Sequence, residues 1–164
     1  MAISKITNTG IGTIDDITLS GGLYVGGTGS ANYLDDYEEG TFTLTIGGST
    51  TNPTTPVTNT AHYTKIGSIV YCDFQFNAVN LSGASGGFRI DGWPFTPAKA
   101  VAHGAFVGHT GFTYPANAKD AVPYFVSNTQ LAFYATQSNA PWTEVSINGT
   151  TNVYLYGSIT YRTS

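Results

Sequence analysis

The sequence predicts an all-β protein, an antiparallel β-sandwich or jelly roll preceded by an extended N-terminal arm. Three observations lead there. Apolar and polar residues alternate in several short runs, turn residues separate those runs, and strong helix formers are scarce. The 20 glycines, with frequent Thr, Tyr and Phe, suit turns and half-buried pleated strands. The expected division is an arm over residues 1–40 and a β-sandwich domain over 41–164. A chain of 164 residues is long enough for one compact domain with an appendage.

The arm holds short apolar runs between glycines. A flexible linker is one reading. Ile14, Ile17, Leu19, Leu23, Tyr24 and Val25 are too apolar for a mere tether, so the favoured reading is an assembly arm that buries them against a neighbouring subunit. Gly26-Gly-Thr-Gly29 is glycine-rich but opens no helix that could aim amides at a phosphate. The segment from Asn32 to Gly40 carries four of the ten acidic residues: Asp35, Asp36, Glu38 and Glu39. Such a cluster is a weak Ca²⁺ candidate without the ligand spacing of an EF-hand, and a solvated turn leading into the domain is the favoured reading.

The domain then reads strand by strand. Thr41 to Ile46 alternates, with Phe42, Leu44 and Ile46 on one face, and residues 47–60 read as a loop. His62 to Ile66 and Ile69 to Phe76 flank Gly67-Ser68, a hairpin signal. In the second of these, Val70, Cys72, Phe74 and Phe76 share the inward face, which makes Cys72 a small core residue rather than a reactive thiol. Phe88–Ile90 is a short strand before a Pro-braced loop from Asp91 to Pro97. Further strands are expected over 102–109, 121–127, 130–135 and 144–147. The last runs from Asn152 to Tyr161, with Val153, Leu155, Gly157, Ile159 and Tyr161 on one face. About nine short strands between turns imply a sandwich or jelly roll.

Composition excludes several functions. Charged residues make up 10 % of the chain, against about 25 % in an average globular protein. A surface of Thr, Ser, Asn and Gly is typical of proteins that live inside assemblies. The six basic residues are scattered, so no basic footprint exists for nucleic acid. Cys72 is alone, which rules out an internal disulfide and a cysteine zinc site. No secretory leader and no membrane-length apolar stretch is legible, so a soluble cytoplasmic product is expected. The Asn80 and Asn148 sequons carry no meaning without a secretory route.

Catalytic motifs are missing too. No nucleophile elbow, phosphate loop or zinc-binding His pair is present. His62, His103 and His109 read as polar surface residues rather than a metal site, and Asp73, Asp91, Asp120 and Glu144 are isolated in sequence, unlike the paired carboxylates of glycoside hydrolysis. The expectation is a non-enzymatic protein with no cofactor. Loop aromatics are the better lead. Trp93, Phe95, Phe112, Tyr114 and Trp142 lie beside Pro or Gly or among small polar residues. Such rings either stack on sugars, with Trp93, Phe95, Tyr114 and Trp142 as the candidate glycan contacts, or plug the ends of the domain or a subunit interface.

Two motifs resemble a known family. The segment Gly22-Leu-Tyr-Val-Gly-Gly-Thr-Gly-Ser-Ala-Asn-Tyr-Leu-Asp-Asp-Tyr-Glu-Glu-Gly-Thr-Phe-Thr43 resembles one common in bacteriophage virion fibre and tail proteins, notably of marine phages. His62-Tyr-Thr-Lys-Ile-Gly-Ser-Ile-Val-Tyr71 resembles a second motif of those proteins, and Trp93-Pro-Phe95 matches their aromatic-Pro-Phe turn. The resemblance covers roughly residues 1–100. It implies an intertwined homotrimer located in the virion and made in the host cytoplasm. The arm would join other phage structural proteins, and the β domain would face outward to host surface polysaccharide. About 20 residues precede the Gly-rich motif, which favours a short spike, capsid decoration or small tail component over a long fibre. The alternative is a carbohydrate-binding module without a structural role.

Overall fold

The structure, a computed structural model, describes residues 21–34 and 36–163. The chain divides into two compact units, Met1–Asp35 and Asp36–Ser164. In the first, β1 (Leu23–Tyr24) pairs antiparallel with β2 (Tyr33–Leu34), and a single 3-10 turn over Ser30–Asn32 leads into β2. The glycines at 26, 27 and 29 lie in the loop of this hairpin. The Tyr24 and Tyr33 rings lie 4.8 Å apart, and the Gly22 amide donates to the Tyr33 hydroxyl at 2.8 Å. Of the expected assembly-arm residues, Leu23, Tyr24 and Val25 are exposed, while Ile14, Ile17 and Leu19 lie outside the described residues.

The second unit contains β3 (Tyr37–Gly48), β4 (Val57–Ile66), β5 (Ile69–Val79), β6 (Ser85–Asp91), β7 (His103–His109), β8 (Phe112–Thr113), β9 (Ala118–Phe125), β10 (Gln130–Gln137), β11 (Ala140–Glu144), β12 (Ser146–Asn148) and β13 (Val153–Arg162). Every pairing between these strands is antiparallel. The all-β expectation holds, and no α-helix occurs among the described residues.

Eight strands run in the order β9-β10-β6-β3-β4-β5-β13-β7. The order nearly closes on itself. A bridge joins Val101, just before β7, to Tyr124 on β9, and the Phe125 amide donates to the Ala100 carbonyl at 2.6 Å. The result is a nearly closed barrel or sandwich. About eight strands enclose a space that side chains alone can fill.

They do fill it. On β5 the inward set is Val70, Cys72, Phe74 and Phe76, all buried, between exposed Tyr71, Asp73 and Gln75. On β13 Val153, Leu155, Ile159 and Tyr161 are buried, as alternation requires. Phe88, Phe106, Phe112 and Phe133 form one aromatic group, in which Phe88 and Phe133 stack at 5.3 Å. Trp93 forms the other. Gly92 turns the chain after β6 at a φ of +100°, where an added Cβ would overlap the Thr43 carbonyl. That turn sends Trp93 inward, and its indole N–H donates to the Ile90 carbonyl at 3.0 Å. Its ring meets Phe42 of β3, Phe74 of β5, Phe125 of β9 and Tyr161 of β13 at 5.8–6.5 Å.

Several boundaries differ from the sequence expectation, two of them at β3 and β4. The Asn32–Gly40 turn ends early, because β3 starts at Tyr37 and its first residues pair with Tyr63–Ile66. Lys65 ion-pairs with Asp36 and the Tyr63 hydroxyl donates to Glu38, so polar partners support a strand that looks solvated in sequence. The 47–60 loop is also shorter, because Val57–Thr60 pair with Thr43–Ile46. β8 and β11 are further strands that alternation did not reveal, and the strand expected over 144–147 is instead divided at Val145 between the end of β11 and β12.

Burial first, and then the charge of Asp73, push the Cys72 thiol up from 9.0 to about 12. The thiolate is the reactive form, so at pH 8 the native protein should resist a disulfide-exchange reagent and react once after denaturation. The raised value also sets a pH window. The neutral thiol favours the fold fully below pH 9.0, and that contribution is lost as pH climbs from 9.0 towards about 12. Melting temperatures should fall across that range, with a shallower fall for Cys72→Ala.

Candidate functional site

Buried apolar side chains line the barrel interior, and the outer wall carries the exposed side chains. The wall of β9, β10, β6 and β11 can be mapped from its register. Leu131, Phe133 and Ala135 of β10 point inward, so Gln130, Ala132, Tyr134 and Thr136 point outward. Ala132 lies between Tyr124 and Arg89, Tyr134 between Val122 and Glu144, and Thr136 beside Asp120. Trp142 shares the outer face of β11 with Glu144, where a bulge interrupts the ladder between Ala135 and Gln137.

These positions build a second small aromatic layer outside the barrel. Trp142 packs edge-on to Tyr124 at 5.2 Å and tilted to Tyr134 at 4.9 Å, while Tyr124 and Tyr134 meet edge-on at 5.6 Å. Ala132 faces outward yet is fully buried. Trp142 itself stays 51 % exposed. The Arg89 guanidinium donates to Glu144 Oε1 at 2.6 Å and to the Phe88 carbonyl at 3.0 Å, and the Tyr134 hydroxyl donates to the same Oε1 at 2.8 Å. Burial, and then the Glu144 hydrogen bond, raise the Tyr134 hydroxyl above its ordinary value against the opposing pull of Arg89. Gly87 makes room beneath, because an added Cβ would overlap Glu144 Oε2 and lie 2.8 Å from Arg89 Nη1. Nearby, the Gln130 amide donates to both Asp91 oxygens at 3.1 Å.

The four rings named from sequence separate. Trp93, 5 % exposed, is core and cannot offer a face to a ligand. Phe95 is half-buried, edge-on to Tyr63 at 5.2 Å, with Lys65 Nζ 5.6 Å from its ring centre. Tyr114 stacks parallel to Phe106 at 6.5 Å beside a groove of about 180 Å³ that Ala118–Ala121 also line. Trp142 alone belongs to an exposed cluster of several rings. Tyr124 and Tyr134 are the partners that sequence reasoning missed. The alternation of Leu131, Phe133 and Ala135 was the available signal for Tyr134.

The acidic cluster disperses. Asp36 pairs with Lys65, Glu38 accepts from the Tyr63 hydroxyl at 2.8 Å, and Glu39 accepts from the Tyr37 hydroxyl. Glu38 and Glu39 point to opposite sides of β3, and Asp35 lies outside the described residues. Positions 103 and 109 are six residues apart on β7, about 20 Å, too far to share an ion. Among the described residues no three His, Cys, Asp or Glu side chains converge.

A second outer surface covers β3, β4, β5, β13 and β7. One of its rows runs Thr41, His62, Asp73, Ser158, Ala105. It holds an open groove of about 490 Å³ lined by His62, Tyr71, Asp73, Gln75, Tyr156 and Ser158. The domain is thus an antiparallel β barrel or sandwich with a filled interior and two weakly charged outer faces, one of them aromatic. Neither a protein-family model nor a curated protein matches the sequence.

The two tryptophans should behave oppositely. Trp93→Ala should lower unfolding free energy by about 3–5 kcal/mol in urea titrations, because it empties the centre of the barrel. Trp142→Ala should cost about 1 kcal/mol or less, the size of an exposed aromatic contact.

Proposed function

We propose that this chain is a non-catalytic structural component of a bacteriophage particle: a short fibre, spike, tail component or capsid decoration. It assembles as a homotrimer, its N-terminal segment joins other particle proteins, and its β domain faces outward to host-surface glycan. The observation that carries the binding part is the Trp142–Tyr124–Tyr134 cluster on the outer wall, where Trp142 is 51 % exposed. Exposed ring clusters of this kind mark interaction sites.

The particle assignment rests on the sequence resemblance, and the fold gives those motifs a shared job. His62–Tyr71 is the β4–β5 hairpin, and Trp93-Pro-Phe95 is the loop that fills the barrel. Both shape the scaffold. The aromatic wall comes mainly from residues 118–144, beyond the region of resemblance. A shared scaffold with an individual outer wall suits proteins that meet different hosts. The exposed Leu23, Tyr24 and Val25 supply apolar surface for assembly.

The same cluster favours a second reading, a carbohydrate-binding module without a structural role. Light scattering after size exclusion separates the two. The particle reading expects three times the 17.3 kDa chain mass. A stable monomer that still binds glycan would favour the module.

A further inference from the structure

We infer that the Trp142 platform binds a neutral pyranose unit, with the apolar face of the sugar on the indole and its hydroxyls donating to the surrounding oxygens. This rests on the outer wall being a glycan-facing surface and adds the place and the chemical class.

The platform is preorganised. Edge-on packing by Tyr124 and tilted packing by Tyr134 fix the indole from two directions, so little side-chain freedom is left to lose on binding. A pyranose presents axial C–H groups on one face, which suit the negative face of an aromatic ring. Its hydroxyls radiate from the ring edge as donors. Glu144 lies two positions from Trp142 on the same face, and Thr136 and Asp120 occupy the adjoining outer row. Both hydrogen bonds to Glu144 fall on Oε1, and its side chain remains 28 % exposed, leaving acceptor capacity for a hydroxyl.

Charge selects against acidic sugars. The cation within the cluster is Arg89, whose side chain is buried and committed to Glu144 and the Phe88 carbonyl. A sugar carboxylate, sulfate or phosphate placed on Trp142 would approach Glu144 and Asp120 instead, at a cost in like-charge repulsion. Hydroxyl donors meet the same carboxylates favourably.

The experiment is a printed array of neutral and acidic oligosaccharides probed with the full chain, followed by acrylamide quenching of tryptophan fluorescence with the best neutral binder. Neutral glycans should bind and should shield the exposed tryptophan from acrylamide. Trp142→Ala should weaken binding at least tenfold with the melting temperature nearly unchanged, and Trp142→Phe, which keeps a flat ring, should recover part of the loss. Binding confined to acidic glycans, binding unchanged in Trp142→Ala, or no binding on the array would each overturn the inference. A trimer that binds no glycan would sink the sugar site and leave the particle role standing. A monomer that binds neutral glycan through Trp142 would do the reverse.

Discussion

The interior packing of Trp93 is the interaction on which the rest of this structure depends. A side chain delivered by the loop after β6 touches rings from β3, β5, β9 and β13, strands spread around the barrel. The core is therefore joined across its width, not only between neighbouring strands. Each aromatic pair adds about 0.5–1.5 kcal/mol beyond simple burial, so four such contacts are a large share of a typical domain's net stability. Buried side chains occupy the centre of the barrel, and the largest exposed ring of the aromatic wall, Trp142, stands outside it.

On that wall, burial and exposure are coupled through one ion pair. Arg89 is buried on the outer side of the sheet, and Glu144 both neutralises it and holds the Tyr134 hydroxyl. Isolating a buried guanidinium would be costly, and the Glu144 carboxylate and Phe88 carbonyl offset part of that cost. The same carboxylate fixes the ring on which Trp142 leans. Gly87 is the permissive element, since a side chain there would displace the carboxylate. A modest polar arrangement thus gives an exposed indole a defined orientation.

Much of this was legible in the sequence, for a simple reason. Where a strand has one face in the core and one in solvent, side-chain alternation records it, and β5 and β13 read correctly residue by residue. The start of β3 was hidden because Glu38 and Glu39 look solvated until they pair with Lys65 and Thr64 and Glu38 accepts from the Tyr63 hydroxyl. Trp93 and Trp142 could not be ranked from composition, since both sit next to Pro. Only the backbone turn at Gly92 and the pairing of β11 with β10 decide which ring goes inward. Tyr124 and Tyr134 escaped notice because a tyrosine in a strand is ordinary, and their meaning comes from a cross-strand register that sequence alone does not supply.

The most direct test of this account is hydrogen exchange at the two indole N–H groups, followed by NMR in D₂O. The Trp93 indole donates to Ile90 inside a filled barrel, whereas Trp142 stands in solvent. One indole signal should persist for hours while the other disappears within the dead time of the experiment. Loss of both signals at the same fast rate would mean that the interior is open, and would contradict the claim that function lies on the outer wall.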